Sequence, residues 1–243
     1  VHDPQNHPAS RITNADKVLR AAASLLEAGG VAAVSTRAVA AAAGVQPPVI
    51  YRLFGDKDGL LDAVAHYVLR EYVRTKQRML LALDDPVEEL RRTWDLHIEF
   101  GLNRPDTYLL AYGTPRRHNE TRTAAMSSVD LLRKMLARLA DEGRLRMSVE
   151  RATNIMYAAG IGTVLTLLRI PSSQRDPAFS DIARENVIAA VLSDDQSSST
   201  GALQLPARAV ALAEAIRATR PSSLSAAEQA VLLEWLSRVA NHT

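Results

Sequence analysis

Apolar positions recur along this chain at three- and four-residue intervals, and the strict alternation of a half-buried strand is nearly absent, so the pattern predicts an all-α protein. Val18, Leu19, Ala22, Leu25 and Leu26 form a first stripe. Thr13 is placed to cap that helix, with Asp16 reaching back, and Gly29-Gly30 stops it. Ser35 or Thr36 caps a short second helix through Ala43, after which Gly44 supplies a backbone position suited to a tight turn. A double proline opens the third helix: Pro47 reads as its cap and Pro48 as its first helical residue, with the end near Phe54. Gly55 and Asp56 then precede a long fourth helix on which Leu60, Leu61, Val64, Ala65, Val68, Leu69 and Tyr72 share one face. Extended to Leu80, it spans about 36 Å, enough to link two domains.

Asp85-Pro86 starts a fifth helix with Leu90, Trp94, His97, Ile98 and Gly101 on one side, and Arg104-Pro105 breaks it. A brief helix over Asp106 to Tyr112 and a polar connection through Arg116, Arg117 and His118 follow. Further helices are expected from Glu120 to Glu142, Ser148 to Leu168, Pro177 to Leu192, Leu205 to Arg217 and Ser225 to Val239. The Ser148 to Leu168 segment is broadly apolar, which implies burial on several sides. Ser193 to Gly201 is serine-rich and reads as a flexible loop. The last helix has a capping box from Ser225 to Glu228 and a stripe of Val231, Leu232, Trp235, Leu236 and Val239.

At 243 residues the chain is long enough for one large or two modest domains. The absence of cysteine excludes disulfides, thiolate metal sites and cysteine nucleophiles. No stretch approaches the roughly 18 apolar residues of a membrane span, so a soluble, cytoplasmic protein without a membrane partner is expected. The formal net charge of +2 is uninformative, but its distribution is not. From Arg11 to Arg78 there are ten Lys/Arg against six Asp/Glu, and from Met79 onward nineteen against twenty. A basic first third before a neutral remainder suits a DNA-binding module on a larger body.

The six histidines are scattered without metal-ligand spacing, and there is no phosphate-binding glycine loop or nucleophile elbow. No enzyme, metal or cofactor is expected. Asp84, Asp85, Glu88 and Glu89 cluster beside Pro86 at a helix start, where surface acids favour the dipole.

Ser35 to Phe54 has the economy of a helix-turn-helix. Ala38, Val39, Ala42, Val45, Ile50 and Phe54 can share a small core while Thr36, Arg37, Gln46, Tyr51 and Arg52 face outward. Plain structural packing of two helices about a glycine turn is open on spacing alone. The longer run Lys17 through Leu61 resembles the N-terminal domain of TetR-family transcriptional regulators. Gly29, Thr36, Ala43-Gly44-Val45, Tyr51-Arg52-Leu53-Phe54, Asp56-Lys57 and Leu60-Leu61 carry the likeness in the family's order. It departs at Gln46-Pro47-Pro48, where the family usually has a Ser cap and often a Gly, and at Leu53, where His is common.

That resemblance implies a three-helix DNA-binding domain over 11–58 and an effector-binding and dimerisation bundle over 59–243. The implied function is a sequence-specific regulator, by default a repressor released from a two-fold operator by a small, partly apolar molecule and acting as a homodimer. A helical ligand-binding or interaction protein without operator recognition is the alternative. Thr36 and Tyr51 match family positions that touch phosphate, and Lys57, a cation at a helix start, suits one nearby. Arg37, Gln46 and Arg52 have base-reading chemistry; Pro47 and Pro48 shape the helix start; Arg11 is a candidate arm or a disordered terminus. In the bundle, Trp94, His97, Phe100, Tyr108, Tyr112, Met126, Asn154 and Tyr157 combine ring surface with polar handles suited to a pocket, though such residues commonly serve as core. His97 on an apolar face reads as a core histidine. Gly160 and Gly162 are candidates for close helix approach.

Overall fold

The computed structural model describes residues 13–80, 85–113, 120–193 and 204–241, and all of its named elements are helical. They are α1 (Asn14–Ala33), α2 (Thr36–Ala43), α3 (Pro47–Phe54), α4 (Lys57–Leu80), α5 (Pro86–Asn103), α6 (Pro105–Tyr108), α7 (Glu120–Asp141), α8 (Val149–Arg169), α9 (Phe179–Val191), α10 (Gln204–Thr219) and α11 (Ala226–Asn241). A π-helical turn, Leu109–Gly113, continues α6, so the brief helix expected over this stretch changes winding midway. Among the described residues, extended pairing is confined to one isolated bridge, Leu145 with Leu192, beside Arg146 N–H to Val191 O at 3.0 Å. Arg11, Asp84, Arg116, Arg117, His118 and the expected loop beyond Ser193 lie outside the described residues.

Two compact units emerge. One takes the described residues through Tyr72 with those from Arg104 to Ala125, and the other takes Val73–Asn103 with the described residues from Met126 on. In the first, Thr13 and Asp16 form the anticipated capping box, so the start of α1 is settled locally. Gly29 and Gly30 leave helical geometry, so the first helix stops there as expected, and the last residues of α1 form a short helical turn beyond the break. At Gly30, with φ of +65°, an added Cβ would meet Asp106 Oδ2 at 3.0 Å; the glycine is required both by its backbone and by the approach of α6. Val18, Ala22, Leu26, Val39, Ile50, Leu60 and Val64 make the core of this unit. Ala42, expected inside, is exposed, and Ala40 takes its place because the short α2 turns that face toward its neighbours.

The double proline also reads differently in three dimensions. Gln46 is the N-cap, with Pro47 and Pro48 as the first two helical residues, because those positions leave an amide unpaired in any helix. In the second unit, Leu90, Leu132, Met135, Leu136, Leu139, Met156 and Val164 are buried. Glu89, expected as surface charge, is 7% exposed and accepts from Arg138 Nη1 at 2.6 Å, tying α5 to α7. Across α5 and α9, Arg91 engages Glu185 through two nitrogens and Arg184 engages Asp95. α10 and α11 pack as a hairpin, yet Val231, Trp235 and Val239 of the expected stripe remain exposed, since a single partner helix covers only part of an apolar face.

Candidate nucleic-acid interface and ligand cavity

Within the helix-turn-helix, Ser35 caps α2 by accepting the Ala38 N–H at 3.1 Å, which frees the neighbouring Thr36 hydroxyl from that duty. Thr36 Oγ1 lies 3.3 Å from Tyr51 Oη, so the start of α2 and the middle of α3 present two hydroxyls side by side. Gly44 ends α2 in the left-handed conformation, and its successor's amide returns to Ala40 O at 3.0 Å, which sets the angle at which α3 leaves. The anticipated residues Arg37, Gln46, Pro47, Pro48, Tyr51, Arg52 and Lys57 are all exposed, and Thr36 is half-buried.

The chemistry at the start of α3 is constrained. Pro47 and Pro48 have no N–H, and the Val49 N–H is taken by Gln46 O at 2.9 Å, so this turn lacks the outward amides that make helix starts anion sites. Recognition there must come from side chains. Gln46 makes no capping bond with its own side chain and is exposed. At α4, Asp56 Oδ1 accepts the Gly59 N–H at 2.7 Å, and Lys57 sits between this carboxylate and Asp58. Those two acids offset the cation locally, so its position does not by itself demand a phosphate. Gly59 has its own reason: a Cβ there would stand 2.1 Å from Phe54 O.

In the second unit α4, α5, α7 and α8 enclose a cavity of about 40 Å³. Lys76 comes from α4; Leu90, Thr93, Trp94 and His97 from α5; Ser128 and Leu132 from α7; and Met156, Tyr157 and Gly160 from α8. Trp94 is a fixed wall, because its Nε1 donates to Ser180 Oγ at 3.1 Å. Gly160 lets α8 approach α5: a Cβ there would lie 3.3 Å from His97 Cδ2, whereas one at Gly162 would meet open space. Burial, reinforced by the charge of Lys76, pushes the His97 imidazole down to about 3, so it is neutral across the physiological range. Burial pushes the Lys76 ammonium down to about 7 and raises the Tyr157 phenol.

Three of the eight residues expected at a pocket, Trp94, His97 and Tyr157, line this cavity together. Phe100 is buried elsewhere on α5; Met126 and Asn154 are exposed. Tyr108 and Tyr112 belong to the first unit, where their ring centroids are 4.6 Å apart. Sequence reasoning did not single out Lys76, which entered only the count of basic residues from Arg11 to Arg78. The available signal was phase: Leu69, Val73 and Lys76 follow one another at helical spacing, and all three are buried. Among the described residues no cluster of His, Asp and Glu could hold a metal ion, and no helix is long and apolar enough to cross a membrane.

The model of bacterial regulatory proteins of the tetR family matches residues 18–64, from α1 into α4. Over 67 residues the chain is 36% identical to the HTH-type transcriptional regulator BetI of Burkholderia ambifaria, covering 27% of this chain and 34% of that relative. An HTH-type transcriptional repressor of Mycobacterium tuberculosis is 34% identical over 95 residues, covering 39% of this chain and 48% of the repressor. The chain thus spans between a third and a half of the length of these two relatives. A solved structure from Rhodococcus sp. RHA1, of a protein with unknown function, superposes with a TM-score of 0.64 at 20% identity, covering 77% of this chain and all of that one. The ordered motif on α1 to α4 and the capped helix-turn-helix accord with that match, so residues 18–64 are similar to the N-terminal domain of bacterial regulatory proteins of the tetR family.

Proposed function

We propose that this protein is a repressor that binds a two-fold operator as a homodimer and is released by a small, partly apolar molecule. The observation that carries the reading is the 3.3 Å approach of the Thr36 and Tyr51 hydroxyls across α2 and α3, a helix pair on which Arg37, Gln46 and Arg52 are also exposed. Thr36, Tyr51 and Lys57 position the phosphate backbone, while Arg37, Gln46 and Arg52 read base edges. Pro47 and Pro48 stiffen the helix start. The similarity to a named mycobacterial repressor supports repression as the sense of regulation.

The functional division follows the sequence reading, with DNA binding in 11–58 and effector binding and dimerisation in 59–243. The cavity lined by Trp94, His97 and Tyr157 is the effector site. Dimerisation uses α8 and α9, whose Ile155, Phe179 and Ile182 are exposed apolar side chains. Two-fold symmetry then sets recognition helices about 34 to 36 Å apart, one turn of duplex. The effector acts by preferring the DNA-incompetent spacing, since equal affinity for both states shifts nothing.

Selection of bound duplexes from a random pool at fixed salt tests the claim, and a two-fold-related motif is the expected product. Failure to enrich one overturns it. Lys57→Ala is expected to weaken binding to all duplexes alike and to lower the salt slope by about 1, whereas Gln46→Ala alters sequence preference. Equal losses on operator and random DNA for both variants refute this division of roles.

A further inference from the structure

We propose that α11 seats α11 of a second copy of this chain, running antiparallel about a two-fold axis at Trp235, and that this contact joins dimers in pairs. The surface is separate from the α8 and α9 face proposed above, and the inference rests on that reading only for the number of copies assembled. α11 packs on α10, with Leu233 and Leu236 half-buried and Ala240 buried. Away from those residues Val231, Trp235 and Val239 stand 44%, 59% and 37% exposed, four residues apart along one stripe. Ala227, Glu228, Val231, Leu232 and Trp235 line an open groove of about 330 Å³ there. The end of α11 is anchored to the start of α8: Asn241 Oδ1 accepts the Ser148 N–H at 3.3 Å, and its carbonyl accepts from Arg151 Nη1 at 3.1 Å. An apolar stripe on an anchored helix gains by leaving water, and among the described residues nothing covers it.

The stripe is complementary to itself, which is what a two-fold interface requires, because both sides present the same patch. Val231 and Val239 lie four residues to either side of Trp235. When two antiparallel α11 helices cross at Trp235, the indoles meet at the axis and each Val231 faces Val239 of the other copy. The charges agree with that direction. Glu234 and Arg238, ion-paired within each helix, flank the stripe on one side. Antiparallel packing lays these flanks together with the two acids between the two bases, a neutral cluster, whereas parallel packing sets acid against acid and base against base. α11 has 16 residues and so is about 24 Å long. A single helix pair of that length falls short of the roughly 1,200–2,000 Å² of a stable interface, so the contact is weak and adds to a dimer held elsewhere. A second two-fold patch on a dimer gives a tetramer.

Sedimentation velocity of the full chain from about 1 to 100 µM reads the assembly. At the top of the range the mass is expected to approach twice that of a dimer. Trp235→Glu should hold it at half that value throughout, and a Tm close to that of the wild type shows that the fold has survived, since Trp235 lies outside the packed core. Val231→Cys and Val239→Cys test the direction, because the chain has no cysteine of its own. Antiparallel pairing sets like positions about 12 Å apart along the axis, beyond the reach of a disulfide, and sets the two unlike positions face to face. Mixed, the two variants should therefore form a disulfide with each other faster than either does with itself. Faster like-with-like cross-linking overturns the antiparallel arrangement, and an assembly unchanged by Trp235→Glu overturns the second copy as the occupant of the stripe. Ile182→Glu separates the two interfaces. If it alone lowers the mass, the α8 and α9 dimer stands and the α11 contact falls; if Trp235→Glu alone does, the reverse holds. A wild-type chain that stays a monomer overturns both.

Discussion

Lys76→Met is expected to stabilise the folded chain, by an amount that depends on pH in a defined way. Burial lowers the lysine from 10.5 to about 7, a displacement corresponding to an upper limit of roughly 5 kcal/mol against the charged form. Below pH 7 the lysine is protonated in both folded and unfolded chains, and the full penalty is present. Between pH 7 and 10.5 the unfolded chain binds a proton that the folded chain does not, so wild-type stability rises with pH by up to about 1.4 kcal/mol per unit from this group. The advantage of the methionine variant therefore shrinks through that window and levels off above it. Unfolding in urea at pH 6, 8 and 9.5 measures the difference. It can be followed through Trp94 in a Trp235→Phe background, because Trp235 is 59% exposed and Trp94 lines the cavity. Apart from His97, which is relieved of the Lys76 charge in the variant, the remaining groups titrate alike in the two proteins and cancel. A variant less stable than wild type at pH 6, or a difference that does not change with pH, refutes the account.

At the turn into α4, Gly59→Ala drives a methyl against the Phe54 carbonyl, 2.1 Å from the ideal Cβ position. A loss of about 3 kcal/mol in urea unfolding is expected, with weaker DNA binding, and a neutral result contradicts the close approach. The two glycines of α8 should separate: Gly162→Ala enters open space and gains up to about 1 kcal/mol of helix propensity, seen as a higher Tm. Gly160→Ala meets His97 at 3.3 Å and should lose that gain while narrowing the cavity. Tyr51→Phe removes the hydroxyl beside Thr36 without touching the buried core, so stability should stay within about 0.5 kcal/mol while DNA affinity falls; a comparable loss of both points to a packing role instead.

Much of the first unit is legible residue by residue because its signals are local. Thr13 with Asp16, Ser35 with Ala38, and Gly44 with a positive φ act within one turn of chain, and that is where such groups find their partners. Helix order and the helix-turn-helix follow from the same kind of evidence. The double proline shows the margin of error. Its missing amides mark the start of α3 without saying which residue precedes the first turn, and the extended backbone of Gln46 makes that residue the cap.

Glu89 was misread, and Lys76 passed over, for the opposite reason. Each stands in a polar run, Arg74 to Arg78 and Asp84 to Glu89, and composition assigns both to the surface. Helix phase places them inward, and only the helices that pack there determine whether charge can be tolerated. α7 brings Arg138 to Glu89, while α5, α7 and α8 close a cavity around Lys76. The α11 stripe errs the other way: periodicity identified an apolar face, but Trp235 stays exposed because, among the described residues, no second helix covers it. The sequence by itself therefore determined the helices, their order and the helix-turn-helix motif, because capping and periodicity act within a few residues. Tertiary structure alone decided which charges are buried and which aromatics share a cavity, because burial and desolvation depend on residues far apart in the chain.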